Sequence, residues 1–123
     1  MIIARIESLI AEAGMDDAKH RARVYLEAGV DGIMIHSKQK KPDEVFEFAE
    51  FYRDYQKKLN IFKPLVCVPT TYNSVQELDL LAAGFNVVIY ANHLLRAAYK
   101  SMLETAKTIL INQRSFEADP ICA

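Results

Sequence analysis

The sequence is poor in the residues that would announce several kinds of chemistry. Only two cysteines occur, Cys67 inside an apolar run and Cys122 in the tail, so neither a disulfide framework nor a thiolate metal site is expected. No histidines or cysteines cluster at metal-ligand spacing. No Asp-x-Asp pair stands at a strand end, and the one adjacent pair, Asp16-Asp17, suits a helix start. Glycine is scarce, and no glycine-rich turn follows the first apolar run, which removes the dinucleotide-binding fingerprint. Charge of one sign is lacking too: 15 basic against 16 acidic residues leave a net charge of -1. That gives no electrostatic basis for binding nucleic acid or an acidic membrane surface. No apolar run is long enough to cross a bilayer, and Arg5 and Glu7 interrupt the first ten residues, where a signal peptide needs an uncharged core. A reducing, cytoplasmic setting is expected.

What is present is an alternation of short apolar runs with amphipathic stretches. The run Gly32-Ile33-Met34-Ile35 is too short for a helix, follows the breaker Gly29, and stops abruptly on His36 and Ser37. It reads as a strand buried on both faces, the kind found in parallel sheets. Met1–Ile6, Leu65–Val68 and Val87–Tyr90 are further strands. Between them, Asp17–Ala28 reads as a helix capped by Asp16 and closed by Gly29, with Ala18, Ala22, Tyr25 and Leu26 at helical spacing. Pro42 suits the first turn of the next helix, Asp43 and Glu44 its positive end, and Val45, Phe48, Ala49, Tyr52 and Leu59 its core stripe. Phe46 and Phe51 widen that stripe beyond what one sheet face needs. Ser74 with Glu77 is a capping-box pattern for a helix to Ala83, closed by Gly84. Asn92 is placed to cap the last helix, whose stripe runs Leu95, Ala98, Met102, Ala106 and Ile109.

Two junctions echo each other. Ala28-Gly29-Val30-Asp31-Gly32-Ile33 and Ala83-Gly84-Phe85-Asn86-Val87-Val88 share one plan: helix end, glycine, apolar residue, Asp or Asn, strand. The chain is therefore β-α-β-α-β-α-β-α, and helical crossovers make the strands parallel. Four such units are a parallel (βα)4 half of a (β/α)8 TIM barrel, whose usual length is about 250 residues. A small doubly wound sheet is the other arrangement that this alternation allows. An apolar strand at the very terminus also predicts that residues 1–123 are one half-barrel domain of a longer protein.

In a parallel α/β protein, sites are built at the carboxyl ends of the strands. Just beyond each run stand Arg5 and Glu7, then His36 and Ser37, then Thr70 and Thr71, then Asn92 and His93. A guanidinium, an imidazole and hydroxyls on one rim make a receiver for a small phosphate or carboxylate. Each member also has a structural reading. Arg5 would pair with Glu7, His36 would be a satisfied strand-end histidine, Thr70 and Thr71 would serve turn backbone, and Asn92 would be a helix cap. The lysine run 38–41 reads as a solvated loop, and Cys67 as core.

Four segments carry a resemblance: Ile2-Ile3-Ala4-Arg5-Ile6-Glu7-Ser8, Gly32-Ile33-Met34-Ile35-His36-Ser37-Lys38, Val68-Pro69-Thr70-Thr71-Tyr72-Asn73 and Ile89-Tyr90-Ala91-Asn92-His93-Leu94-Leu95-Arg96-Ala97-Ala98. In that order they resemble the phosphoenolpyruvate mutase family of the isocitrate lyase superfamily, over essentially the whole sequence. The resemblance implies the second half of that family's barrel, from the fifth strand into the eighth helix. It implies an isomerase that interconverts phosphoenolpyruvate and phosphonopyruvate at the start of phosphonate biosynthesis. Arg5 and His36 would be its catalytic and substrate-binding residues here, with Glu7, Ser37, Thr70, Asn92 and His93 as supporting rim residues. The family's Mg²⁺ carboxylates and gating loop would lie upstream, so no metal ligand is expected among these residues, and the piece by itself is expected to be inactive. Within the same superfamily the alternatives are a phosphonopyruvate hydrolase or a 2-methylisocitrate-type carbon–carbon lyase. The alternative of another class is a non-catalytic half-barrel that associates with copies of itself, and a homo-oligomer is expected.

Overall fold

Strand β1 (Ile3–Ile6) is followed by α1 (Gly14–Glu27), β2 (Gly32–Ile35), α2 (Asp43–Leu59), β3 (Leu65–Cys67), α3 (Glu77–Ala83) and β4 (Val87–Val88). Then come α4 (His93–Asn112), a 3-10 turn at Phe116–Ala118 and the short α5 (Asp119–Cys122). The computed structural model describes residues 1–122. It divides into two units, Met1–Tyr90 and Ala91 onward.

In the first unit the four strands are parallel and stand in the order β1-β2-β3-β4. That order separates the two arrangements the sequence left open. A doubly wound sheet reverses its strand order at a switch point and carries helices on both faces. Here there is no reversal, and the helices share one core. Ile6, Ile33, Ile35, Leu65 and Cys67 of the sheet cluster with Ala18, Ala22 and Leu26 of α1, Val45, Phe48, Ala49 and Tyr52 of α2, and Leu80 of α3. Side chains alternate across a strand, so Arg5, Met34 and Val66 occupy the opposite face. The unit is half of a (β/α)8 barrel.

The echoed junctions explain how neighbouring strands find their register. Asp31 N–H donates to the carbonyl of Ile2 at 2.8 Å while its carboxylate accepts the Ile2 N–H at 2.6 Å. Asn86 does the same to Leu65, with both bonds at 2.9 Å. Each Asp or Asn thus closes a two-point ring on the start of the strand before it. Gly32 is required for another reason: a Cβ there would stand 2.6 Å from Ile3 Cδ1 and 2.8 Å from the Pro64 carbonyl oxygen. Gly29 and Gly84, at φ 89° and 109°, take the left-handed conformation that ends α1 and α3.

Several expectations need correction. Helix α1 begins at Gly14 with Ala13 at its N-cap position, so Asp16 caps nothing; Asp17 instead accepts the buried Ser8 hydroxyl and Arg21. Pro42 stands at the N-cap position of α2 rather than inside it. Leu59, the last residue of α2, is 45% exposed and not part of the core. Ser74 and Glu77 form no capping box: Gln76 is the N-cap of α3, and the Glu77 carboxylate accepts the Tyr90 hydroxyl at 2.7 Å. β3 and β4 stop at Cys67 and Val88, short of Val68 and Tyr90. The wide stripe of α2 is absorbed within the fold, since Phe46 and Phe51 pack on the core and the Arg23 guanidinium of α1 lies 4.9 Å from the Phe51 ring centre.

In the second unit, α4 packs with the 3-10 turn and α5. None of the described residues of α4 is buried, so the stripe Leu95, Ala98, Met102, Ala106 and Ile109 is not the core seam that its spacing predicted. One long helix and two short turns offer too little partner surface to bury a stripe of that length.

Candidate functional site

The carboxyl ends of β1 and β2 bring Arg5, Glu7 and His36 together. The register pairs Arg5 with Met34 and Ile6 with Ile35, so His36, two residues beyond Met34, falls on Arg5's face of the sheet. Arg5 and Glu7 are exposed and form an ion pair through Arg5 Nε. That pairing realises the structural reading of Arg5 without using up its fork: the two terminal nitrogens engage no other described residue, and their geometry matches a carboxylate or phosphate.

His36 is half-buried, and its Nδ1 is shielded without a hydrogen-bond partner among the described residues. Its pKa lies below the ordinary 6.5, first because burial disfavours the imidazolium and then because the Arg5 charge repels it; Glu7 opposes this more weakly. A proton on a shielded, unpartnered Nδ1 would be an unsatisfied donor, which favours the neutral tautomer with its hydrogen on Nε2. Burial and the neighbouring guanidinium both favour the uncharged ring of His36.

Ser37 is fully buried. Its hydroxyl donates to the Glu44 carboxylate at the start of α2 and accepts the Gln39 N–H at 3.0 Å, while its carbonyl accepts the Thr71 hydroxyl at 2.8 Å. Glu44 is therefore more than a helix-end charge. A first-turn carboxylate seven residues after a strand-end hydroxyl was the signal available for it. Thr70, the threonine expected on the rim, contributes a turn bond from its N–H to the Val68 carbonyl; Thr71 is the one whose side chain reaches the β2 end. Lys38 pairs with Glu12, tying the loops after β1 and β2 across the surface. Asn92 and His93 open α4 in the second unit. Asn92 holds a left-handed φ of 65° and makes no side-chain cap bond, and its carbonyl accepts the Arg96 N–H.

Cys67 is buried among apolar side chains, which pushes its thiol up to about 12 and makes it core rather than nucleophile. Among the described residues no three His, Cys, Asp or Glu side chains are grouped so as to hold a metal ion. The donors for a divalent cation do not fit here, since the one rim carboxylate beside Arg5 is engaged by it. No described helix is long and apolar enough to cross a membrane.

The fold and this rim define the class: half of a parallel α/β barrel with an arginine and an imidazole at the strand ends. The sequence model of the phosphoenolpyruvate phosphomutase family matches residues 1–110. The chain belongs to that family, within the isocitrate lyase superfamily. It is 43% identical over 105 residues, 85% of its length, to a phosphonopyruvate hydrolase of Variovorax sp. strain Pal2, of which it covers 34%. A phosphoenolpyruvate phosphomutase structure from Streptomyces platensis subsp. rosaceus superposes with a TM-score of 0.86 at 38% identity, over 98% of this chain and 39% of that one. A phosphonopyruvate hydrolase structure in complex with oxalate and Mg²⁺ gives 0.81 at 40% identity, over 98% and 40%. The chain thus spans roughly a third to two-fifths of the length of these relatives.

Proposed function

We propose that this chain supplies the carboxyl-terminal half of the active site of an enzyme acting on phosphonopyruvate, and that the reaction is the phosphomutase isomerisation to and from phosphoenolpyruvate. The observation that carries this reading is the juxtaposition of the Arg5 fork with the His36 imidazole on one rim. Moving a phosphoryl group between oxygen and carbon passes through a loose transition state, in which positioning and charge neutralisation do most of the work. Arg5 would neutralise the anion bidentately, and His36 Nε2–H would donate to it without adding a second full charge. Glu7 holds the guanidinium in place through Nε. Mg²⁺ is proposed for the whole protein, with its ligands outside residues 1–122.

Hydrolysis is the second reading, favoured by the 43% identity to a hydrolase. Water breaking the C–P bond leaves pyruvate and inorganic phosphate, whereas the mutase conserves phosphorus as phosphoenolpyruvate. Phosphorus NMR of the complete protein with phosphonopyruvate and Mg²⁺ separates the two. Phosphoenolpyruvate is the expected product, and Arg5→Ala should lower kcat/KM by about 10²–10³ while leaving the fold intact. Phosphate as the product selects the hydrolase reading. No turnover of phosphonopyruvate, or a folded Arg5→Ala variant with full kcat/KM, overturns the assignment of this rim. We further propose self-association, because among the described residues β1 pairs with no strand but β2 and β4 with none but β3, so neither edge strand has a second strand partner.

A further inference from the structure

We propose that Ser37, Glu44 and Thr71 form a clamp that holds the His36 backbone and ring at the rim, making Glu44 and Thr71 positioning residues for the reaction. The inference rests on the role proposed for His36. The β2 ladder ends at Ile35, and the pairing with β3 ends one residue earlier, at Met34. His36 thus lies just past the last residue that the sheet itself fixes. Its chain neighbour Ser37 takes over from the sheet. The hydroxyl and carbonyl of Ser37 are bound by the first turn of α2 and by the loop after β3. Neither contact is a local turn bond: Glu44 is seven residues away and Thr71 thirty-four. The clamp therefore ties the β2–α2 connection and the first turn of α2 to the loop after β3 through one buried serine, whose polar groups have no water to turn to if a partner is lost.

His36 needs such a hold. Its Nδ1 is shielded without a partner, an arrangement that a free ring would leave by rotating into water. Arg5 and Glu7 are the charged groups from β1 and its following loop that act on it, and they would remain after the clamp opens. Loss of the clamp should therefore show first as hydration of the imidazole.

The test is NMR titration of the His36 ring in this chain, comparing wild type with Thr71→Val, which removes the hydroxyl at nearly constant volume, and Thr71→Ser, which keeps it. The wild-type midpoint should lie below 6.5. In Thr71→Val it should rise by about half a pH unit or more as the ring hydrates, and Thr71→Ser should restore it. In the complete enzyme, Thr71→Val should lower kcat about tenfold with KM nearly unchanged, as expected for a misplaced group. Glu44→Gln supplies the same reading should Thr71→Val fail to fold. An unchanged His36 midpoint in the folded variant refutes the clamp whatever the kinetics, as does a Thr71→Ser variant that behaves like Thr71→Val. The titration needs no turnover, so a failed activity assay would sink the proposed reaction and leave the clamp to be judged separately.

Discussion

Replacing Asn86 by alanine tests the junction that sets the register of β3 and β4. The Asn86 side chain accepts the Leu65 N–H at 2.9 Å, and Leu65 is 1% exposed. A hydrogen bond of this kind adds on the order of 1 kcal/mol net. Its removal here also strands a buried donor, which raises the cost to about 1–3 kcal/mol. Taking about 2 kcal/mol, the folded-to-unfolded ratio falls by roughly thirtyfold. With a urea dependence of about 2 kcal/mol per molar, the midpoint falls by about 1 M at an unchanged slope. Asn86→Asp keeps the acceptor that Asp31 uses at the equivalent junction, and should stay within about 0.5 kcal/mol of wild type. Asp31→Ala is the internal control: its partner Ile2 is 67% exposed, so water replaces the lost bond and the cost should stay below about 1 kcal/mol. Urea unfolding followed by circular dichroism measures all three, and hydrogen exchange at the Leu65 amide should show lost protection in Asn86→Ala alone. An Asn86→Ala midpoint equal to wild type, or an Asp31→Ala variant as damaged as Asn86→Ala, would refute the role assigned to burial.

Acidification should destabilise the protein. The folded His36 pKa lies below its ordinary 6.5, so the unfolded chain takes the proton first. Its contribution is complete above pH 6.5 and is lost as pH falls from there to the folded value. Glu12, Asp17 and Asp31, held below their ordinary values by Lys38, by Ser8 and by the Ile2 N–H respectively, lose theirs at lower pH in the same direction. Urea midpoints across pH 7.5 to 5 should decline, and His36→Gln should flatten the part just below 6.5; a midpoint that rises on acidification contradicts the burial of the ring. The open edges predict that this chain sediments as a dimer or larger species at micromolar concentration, and a monodisperse monomer there removes the self-association reading.

Much of the architecture was readable from residue order because it rests on local chemistry. Glycines 29 and 84 end helices wherever those helices go, since the positive φ is a backbone property. The echoed Ala-Gly-x-Asp/Asn junctions and the apolar runs give parallel strands, and Arg5, Glu7 and His36 at the ends of the first two runs meet by topology alone. Features that depend on which partner comes within reach were not readable. Ser74 and Glu77 have a capping spacing, yet Glu77 reaches the Tyr90 hydroxyl instead. Asp17 gives its carboxylate to Ser8, nine residues back, rather than to its own helix end. The stripe of α4 has helical spacing but buries none of its described residues, because periodicity describes a face and cannot supply the surface that covers it.

The sequence by itself determined the succession of strands and helices, the parallel sense of the sheet and the presence of Arg5 and His36 at strand ends, because period, turn chemistry and crossover length are properties of short segments. Tertiary structure decided that the strands run β1 to β4 without reversal, with α1, α2 and α3 sharing one core. It also decided that His36 is half-buried beside a guanidinium, and that Glu44 of the first turn of α2 and Thr71 of the loop after β3 close on Ser37. Those outcomes depend on distances between residues far apart in the chain, which only the packed sheet and helices create.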